Sequence, residues 1–208
     1  MASETSLCRE RLKRYCAGYG LDIGYGGDPI LPSAITIDVP KPYKTVGDAP
    51  LNLGGDARKL YWFRDETMDY VFSSHLLEDF PADETEHVLR EWLRVLKVGG
   101  HLILYCPVEK VYRAHCKDNG QEYNLAHKIE EFGLDYVKGV LRAFDNIEAV
   151  HEAPLVDAYS FEIVVKKISK SCGHGLPLLM RYRMMKDRLK AGLRPYKRRL
   201  TGLINRGV

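Results

Sequence analysis

Short, nearly continuous apolar runs alternate with stretches of helical period along most of this chain. The runs at residues 21–24, 34–39, 68–73 and 101–106 are four to six residues long and lack strict alternation, as strands covered on both faces do. They predict a parallel core, with residues 51–53 a weaker strand that ends at Gly54 and Gly55. Between the third and fourth runs, Pro81 suits a first helical turn and Asp83, Glu84 and Glu86 suit the positive end of a helix dipole. Val88, Leu89, Trp92, Leu93 and Leu96 then recur at helical spacing, and Gly99 with Gly100 is expected to stop that helix. Residues 125–143 predict one or two further helices interrupted near Gly133, and residues 147–150 and 160–168 a closing antiparallel strand pair around a turn at 154–158. A short amphipathic stretch with Leu7, Leu12 and Tyr15 on one side precedes the first strand.

The expected fold class is therefore α/β: a Rossmann-like, doubly wound and mostly parallel sheet with an antiparallel C-terminal pair. Only residues 29–33 separate the first strand's glycine turn from the second strand, and Pro29 and Pro32 oppose a helix, so the first crossover helix is expected to be truncated.

The candidate chemistry sits at the strand ends. The glycine turn is Asp22-Ile-Gly24-Tyr25-Gly26-Gly27, a form that lets a backbone turn sharply and lets a ligand approach closely. Asp38 ends the second strand, where a carboxylate can accept from both hydroxyls of a ribose. Asp56 follows the third strand in Gly54-Gly-Asp-Ala57, where it can accept from an exocyclic amine. The fourth strand ends in Ser73-Ser74-His75, followed by Glu78 and Asp79.

In this order the motifs, over about residues 10–168, resemble the class I S-adenosylmethionine-dependent methyltransferases, and more closely small domains of the methyltransferase-11 type. The resemblance implies S-adenosylmethionine as cofactor. Asp22, Gly24, Tyr25 and Gly26 would then face its amino-acid part, Asp38 its ribose, Asp56 and Ala57 its adenine, and Ser73 and Ser74 would lie beside the sulfonium. The truncated crossover agrees with this, because a dinucleotide would lose the helix N-terminus that holds its pyrophosphate, whereas a sulfonium cofactor carries no phosphate.

Methyl transfer is an in-line displacement that depends on positioning, and a base helps when the acceptor is a hydroxyl or a protonated amine. His75, just beyond the fourth strand, is the first candidate for that base or for orienting the acceptor, and His127, in the segment after the fifth strand, is the second. Glu78 and Asp79 are read as solvated turn residues, and with no regular ligand spacing no metal is expected. The acceptor is read as a small molecule or a glycan. Two alternatives stand beside this reading: a non-catalytic methyltransferase-like scaffold, and an RNA methyltransferase that uses a basic tail.

That tail is the chief feature of the charge distribution. Residues 169–208 hold eleven Lys and Arg against the single Asp187, whereas twenty basic and twenty-seven acidic residues precede them, so a body of charge −7 carries an extension of +10. Within the extension Met185, Leu189, Leu193, Tyr196, Leu200 and Leu203 form an apolar stripe among the cations. A methyltransferase domain over 1–168 and a basic amphipathic extension over 169–208 are expected. The extension has three readings: peripheral contact with anionic membrane, docking on its own domain or on the second subunit of a homodimer, and contact with nucleic acid, which fits less well because phosphates need no apolar stripe. No secretory signal or membrane-spanning run is expected. Cys8, Cys16, Cys106, Cys116 and Cys172 lack disulfide or zinc spacing and are read as free thiols, which with the basic extension predicts a cytoplasmic, membrane-associated protein.

Overall fold

The computed structural model describes residues 3–40 and 46–170; most of the basic extension lies outside them. The described chain forms α1 (Glu4–Leu12), β1 (Gly20–Ile23), β2 (Ile35–Asp38), β3 (Leu53–Gly54), β4 (Met68–Ser74), α2 (Ala82–Val95), β5 (Leu96–Pro107), α3 (Glu109–Asp118), α4 (Leu134–Leu141), β6 (Ile147–Val156) and β7 (Ser160–Lys167). The strands make one seven-stranded sheet in the order β3-β2-β1-β4-β5-β7-β6, in which β7 alone runs against the rest. This is the expected Rossmann-like sheet.

The continuous apolar runs are explained by cover on both faces. Along β5, Leu102, Leu104 and Cys106 join a core beneath α2 and α4, while Ile103 and Tyr105 point to a second core beneath α1. Val71 in β4 and Ile163 in β7 share the first core; Tyr70, Phe72 and Val164 share the second. With alternate residues buried on opposite sides, no polar face remains to give a period of two.

Residues 24–34 form turns and no helix, as the prolines require. The buried Asp22 carboxylate accepts from the Ile30 backbone N–H at 2.6 Å, and the start of α1 straps the turn from outside through Ser3 and Arg9 to Asp28. A cavity of about 470 Å³, lined by Arg9, Pro29, Pro32, Thr36 and Asn52 among others, flanks this helix-free crossover. None of Asp38, Asp56 and His75 lines it.

Four local expectations need correction. Helix α2 ends at Val95 and passes straight into β5, so Gly99 (φ 89°) and Gly100 form an irregularity within the strand where its pairing with β4 shifts, not a helix stop. The stop is set from elsewhere: Lys167 Nζ donates to the carbonyls of Leu93 and Leu96 at 3.0 and 2.8 Å. Residues 125–133 contain no helix, and β6 extends to Val156 through Pro154, which an edge strand tolerates where its ladder is interrupted. Leu7 is exposed and α1 buries Thr5, Cys8 and Leu12 instead, because its polar positions are tied to the crossover and to β7.

Candidate active site at the strand ends

The first part of the site is backbone. At Gly24 the chain adopts φ 73°, and a Cβ there would meet the Leu76 side chain at 2.7 Å, so only glycine fits. Its N–H donates to Ile37 O at 2.8 Å, fastening the turn to β2. The carbonyl of Gly26 accepts from Val46 N at 2.8 Å, which brings residues 46–49 over the turn. Tyr25 is buried and its hydroxyl donates to Ala49 O at 2.8 Å, so this side chain closes the turn onto that segment.

The carboxylates differ in character. Asp22 is fully buried; one oxygen holds Ile30 N–H and the other has no hydrogen-bond partner, and burial pushes its carboxyl up to about 8. Asp38 is half-buried at the end of β2, accepts from Val39 N–H at 2.7 Å and from the Gly26 amide, and is raised by burial in spite of both. Burial also acts on Asp56, but the Arg58 guanidinium, at 2.9 and 3.1 Å, prevails and holds its carboxyl below the usual range. Arg58 is itself shared with Glu84 at 2.8 Å, and the neighbouring Ala57 carbonyl accepts from Trp92 Nε1 at 2.9 Å, so the loop after β3 is fixed to α2. Ser73 donates its hydroxyl to Ile23 O at 2.9 Å and serves the β1–β4 junction; the Ser74 hydroxyl is buried with no hydrogen-bond partner.

Beyond β4 the side chains gather. His75 takes a left-handed backbone conformation (φ 49°), rare for a non-glycine residue. Its Nε2 lies 3.1 Å from Ser160 Oγ and 3.4 Å from Glu4, and its ring packs against Tyr105 and Tyr159. His127 comes from the loop before α4, with Nδ1 2.7 Å from Glu109 and its ring 5.0 Å from that of Tyr112. Between the two imidazoles stands Glu78, with Oε1 3.7 Å from His75 Nδ1 and 3.7 Å from His127 Nε2. Glu78 is fully buried, which corrects its reading as a solvated turn residue, and burial beside Asp79, Glu109 and Glu4 raises its carboxyl far above the ordinary range. Glu78 and Glu109 are thus members of the cluster that sequence reasoning missed. An acid three residues after a candidate base was the available signal, but nothing in the sequence says that the turn is buried. Among the described residues no group of His, Cys, Asp and Glu is arranged to hold a metal ion.

Residues 37–104 match the family model described as "Methyltransferase domain". The fold is shared with solved structures at low identity. The PH0226 protein from Pyrococcus horikoshii OT3 is 19% identical with a TM-score of 0.58, over 78% of this chain and 88% of that one. A SAM-dependent methyltransferase from Archaeoglobus fulgidus is 16% identical with a TM-score of 0.56, over 78% and 94%. The chain thus shares the fold of these methyltransferases, and about a third of it, residues 37–104, matches the methyltransferase-domain model. A third structure, a possible histamine N-methyltransferase from Thermotoga maritima, is 15% identical with a TM-score of 0.55, over 79% and 89%. No curated protein matches the sequence.

The residues present at this edge fit S-adenosylmethionine. The turn at Gly24 and Gly26 carries no side chain at the strand ends, and Asp38 keeps acceptor capacity beyond its two backbone bonds, while the buried Asp22 braces the crossover from beneath through Ile30 N–H.

Proposed function

We propose that this methyltransferase moves the methyl group of S-adenosylmethionine to a small-molecule or glycan acceptor, with His75 on the acceptor side. In this reading Gly24, Gly26 and Asp22 hold the amino-acid end of the cofactor, Asp38 the ribose, and Asp56 with Ala57 the adenine. The bound cofactor supplies an activated methyl group and a positive sulfur; the protein supplies position and a destination for a proton. The observation that carries the reading is the shared edge. The glycine turn ends β1, Asp38 ends β2, Asp56 follows β3 and His75 follows β4, in adjacent strands of one parallel sheet. Ligands of open α/β sheets bind at that edge.

An acceptor that releases a proton suits His75, whose ring bears Ser160 on one side and Glu78 on the other. The Thermotoga maritima neighbour is a possible histamine N-methyltransferase, and an amine acceptor is in keeping with such a site. Transfer of labelled methyl from S-adenosylmethionine to candidate amines, alcohols and glycans tests the reading. His75→Ala is expected to lower turnover by about 10² or more with cofactor affinity within a few-fold. Full turnover in that variant would remove His75 from the reaction.

For residues 169–208 we propose peripheral contact with anionic membrane, supported by eleven cations and an interleaved apolar stripe.

A further inference from the structure

The row of groups beyond β4 continues past His75. From the turn before β7 to α3 it runs Tyr159, Glu4, His75, Glu78, His127 and Glu109, with separations of 2.6, 3.4, 3.7, 3.7 and 2.7 Å. Carboxyls and imidazoles alternate along it. Its centre, Glu78, is fully buried, and neither of its carboxyl oxygens has a hydrogen-bond partner. A buried carboxyl left without strong hydrogen bonds is costly to a fold, so its retention asks for a reason. We propose that Glu78 joins His75 and His127 into one proton-carrying unit, which equips the site for an acceptor whose O–H or N–H sheds a proton on methylation. This inference rests on the methyltransferase reading above and adds to it a positioning residue and a requirement on the acceptor.

The hydrogen-bond network assigns the starting state. His127 Nδ1–H donates to the Glu109 carboxylate, which Arg113 also holds at 2.6 Å, so the lone pair of His127 Nε2 faces Glu78. In the tautomer the proposal requires, Ser160 Oγ–H donates to His75 Nε2 and His75 Nδ1–H faces the other side of the same carboxyl. Burial, beside carboxyls on three elements, Glu4, Asp79 and Glu109, and the buried Cys106 thiol at the end of β5, favours the neutral, protonated form of Glu78.

Discharge of the reaction then balances. As the acceptor atom bonds to the methyl carbon, its X–H proton passes to Ser160 Oγ while the Ser160 hydroxyl proton passes to His75 Nε2, the His75 Nδ1 proton passes to Glu78, and the proton already on Glu78 passes to His127 Nε2. The electron pair of the broken C–S bond stays on sulfur, which loses its positive charge, and one positive charge arrives on the His127 imidazolium beside Glu109. Both 3.7 Å gaps must tighten for this, as catalytic hydrogen bonds often do only when the ligands are in place.

The coupling can be measured on the full chain without cofactor or acceptor. In protein labelled at histidine Cε1, NMR titration of the wild type, His127→Gln, Glu78→Gln and the double variant gives the midpoint of His75 in each background. The expected result is that His127→Gln moves the His75 midpoint by roughly one pH unit and that this shift disappears when Glu78 is Gln. A His75 midpoint indifferent to His127, or a shift that survives in Glu78→Gln, overturns the proposal. Should a variant fail to fold, wild-type spectra decide: a coupled pair titrates each resonance in two steps, and single-step curves for both imidazoles overturn it. The cofactor plays no part in this titration, so its outcome is separate from that of a binding test of the methyltransferase reading.

Discussion

At the residue scale, the strand-end carboxyls divide by the partners they already have. Asp56 has spent much of its capacity on Arg58, whereas Asp38 keeps acceptor capacity beyond two backbone amides. Asp22 is different again, a carboxyl raised by burial from 3.8 to about 8 in the folded chain. Over that interval the folded state holds a proton that the unfolded state has released, so stability conferred by this group is full below about pH 4 and is lost as pH rises toward 8. Asp22→Asn keeps an oxygen for Ile30 N–H and removes the titration. Its thermal stability is expected to be flatter than the wild type's between about pH 4 and 8, by up to roughly 1.4 kcal/mol per pH unit. Parallel curves for the two proteins would show that Asp22 is ionised when folded. Much of this was hidden from the sequence. It placed Asp22, Asp38, Asp56 and His75 at strand ends from their positions after apolar runs, but it did not show that Tyr25 would spend its hydroxyl on Ala49 or that Glu78 would be sealed between two histidines. Partners twenty-four to eighty-five residues distant, Ala49 for Tyr25 and Ser160 for His75, decide those roles.

At the element scale, α2 does more than cover the sheet. Trp92 is fully buried and its Nε1–H donates to Ala57 O at 2.9 Å, so the helix holds the loop that carries Asp56. Trp92→Phe preserves most of the packing and removes that donor. A loss of about 1–3 kcal/mol of stability is expected from the orphaned carbonyl and the lost ring volume, with weaker binding of an adenine-bearing ligand alongside. Denaturant unfolding and calorimetry on one preparation check both parts; unchanged affinity would mean the loop keeps its shape without the bond. Helix α2 was legible because its acidic start and apolar stripe are local signals. Helix α3 was not, because it has no side-chain cap at Val108 and buries only Glu109 and Cys116, so its sequence presents no stripe. The end of α2 was misread for a similar reason: the residue that receives its last carbonyls is Lys167, more than seventy positions away.

At the scale of the whole molecule, the fold is a parallel sheet with an antiparallel β7, reached by a first crossover that has no helix. The sequence disclosed both features, the first through runs buried on two faces and the second through Pro29 and Pro32. The basic extension is the other whole-molecule feature. On the proposal made above, the full chain should sediment with anionic vesicles at about 0.15 M salt and not with neutral ones, while a chain ending at residue 168 stays in solution. Equal behaviour of the two chains would remove the membrane reading, and displacement of the full chain by RNA would favour nucleic acid. The central claim, however, concerns the strand-end edge, and calorimetric titration with S-adenosylmethionine reaches it most directly. One site per chain is expected, with no comparable heat from NAD and an affinity at least tenfold weaker in Asp38→Ala, as loss of a charged acceptor of about 1.5–3 kcal/mol implies. No binding by the wild type, or an affinity that Asp38→Ala leaves unchanged, would contradict it.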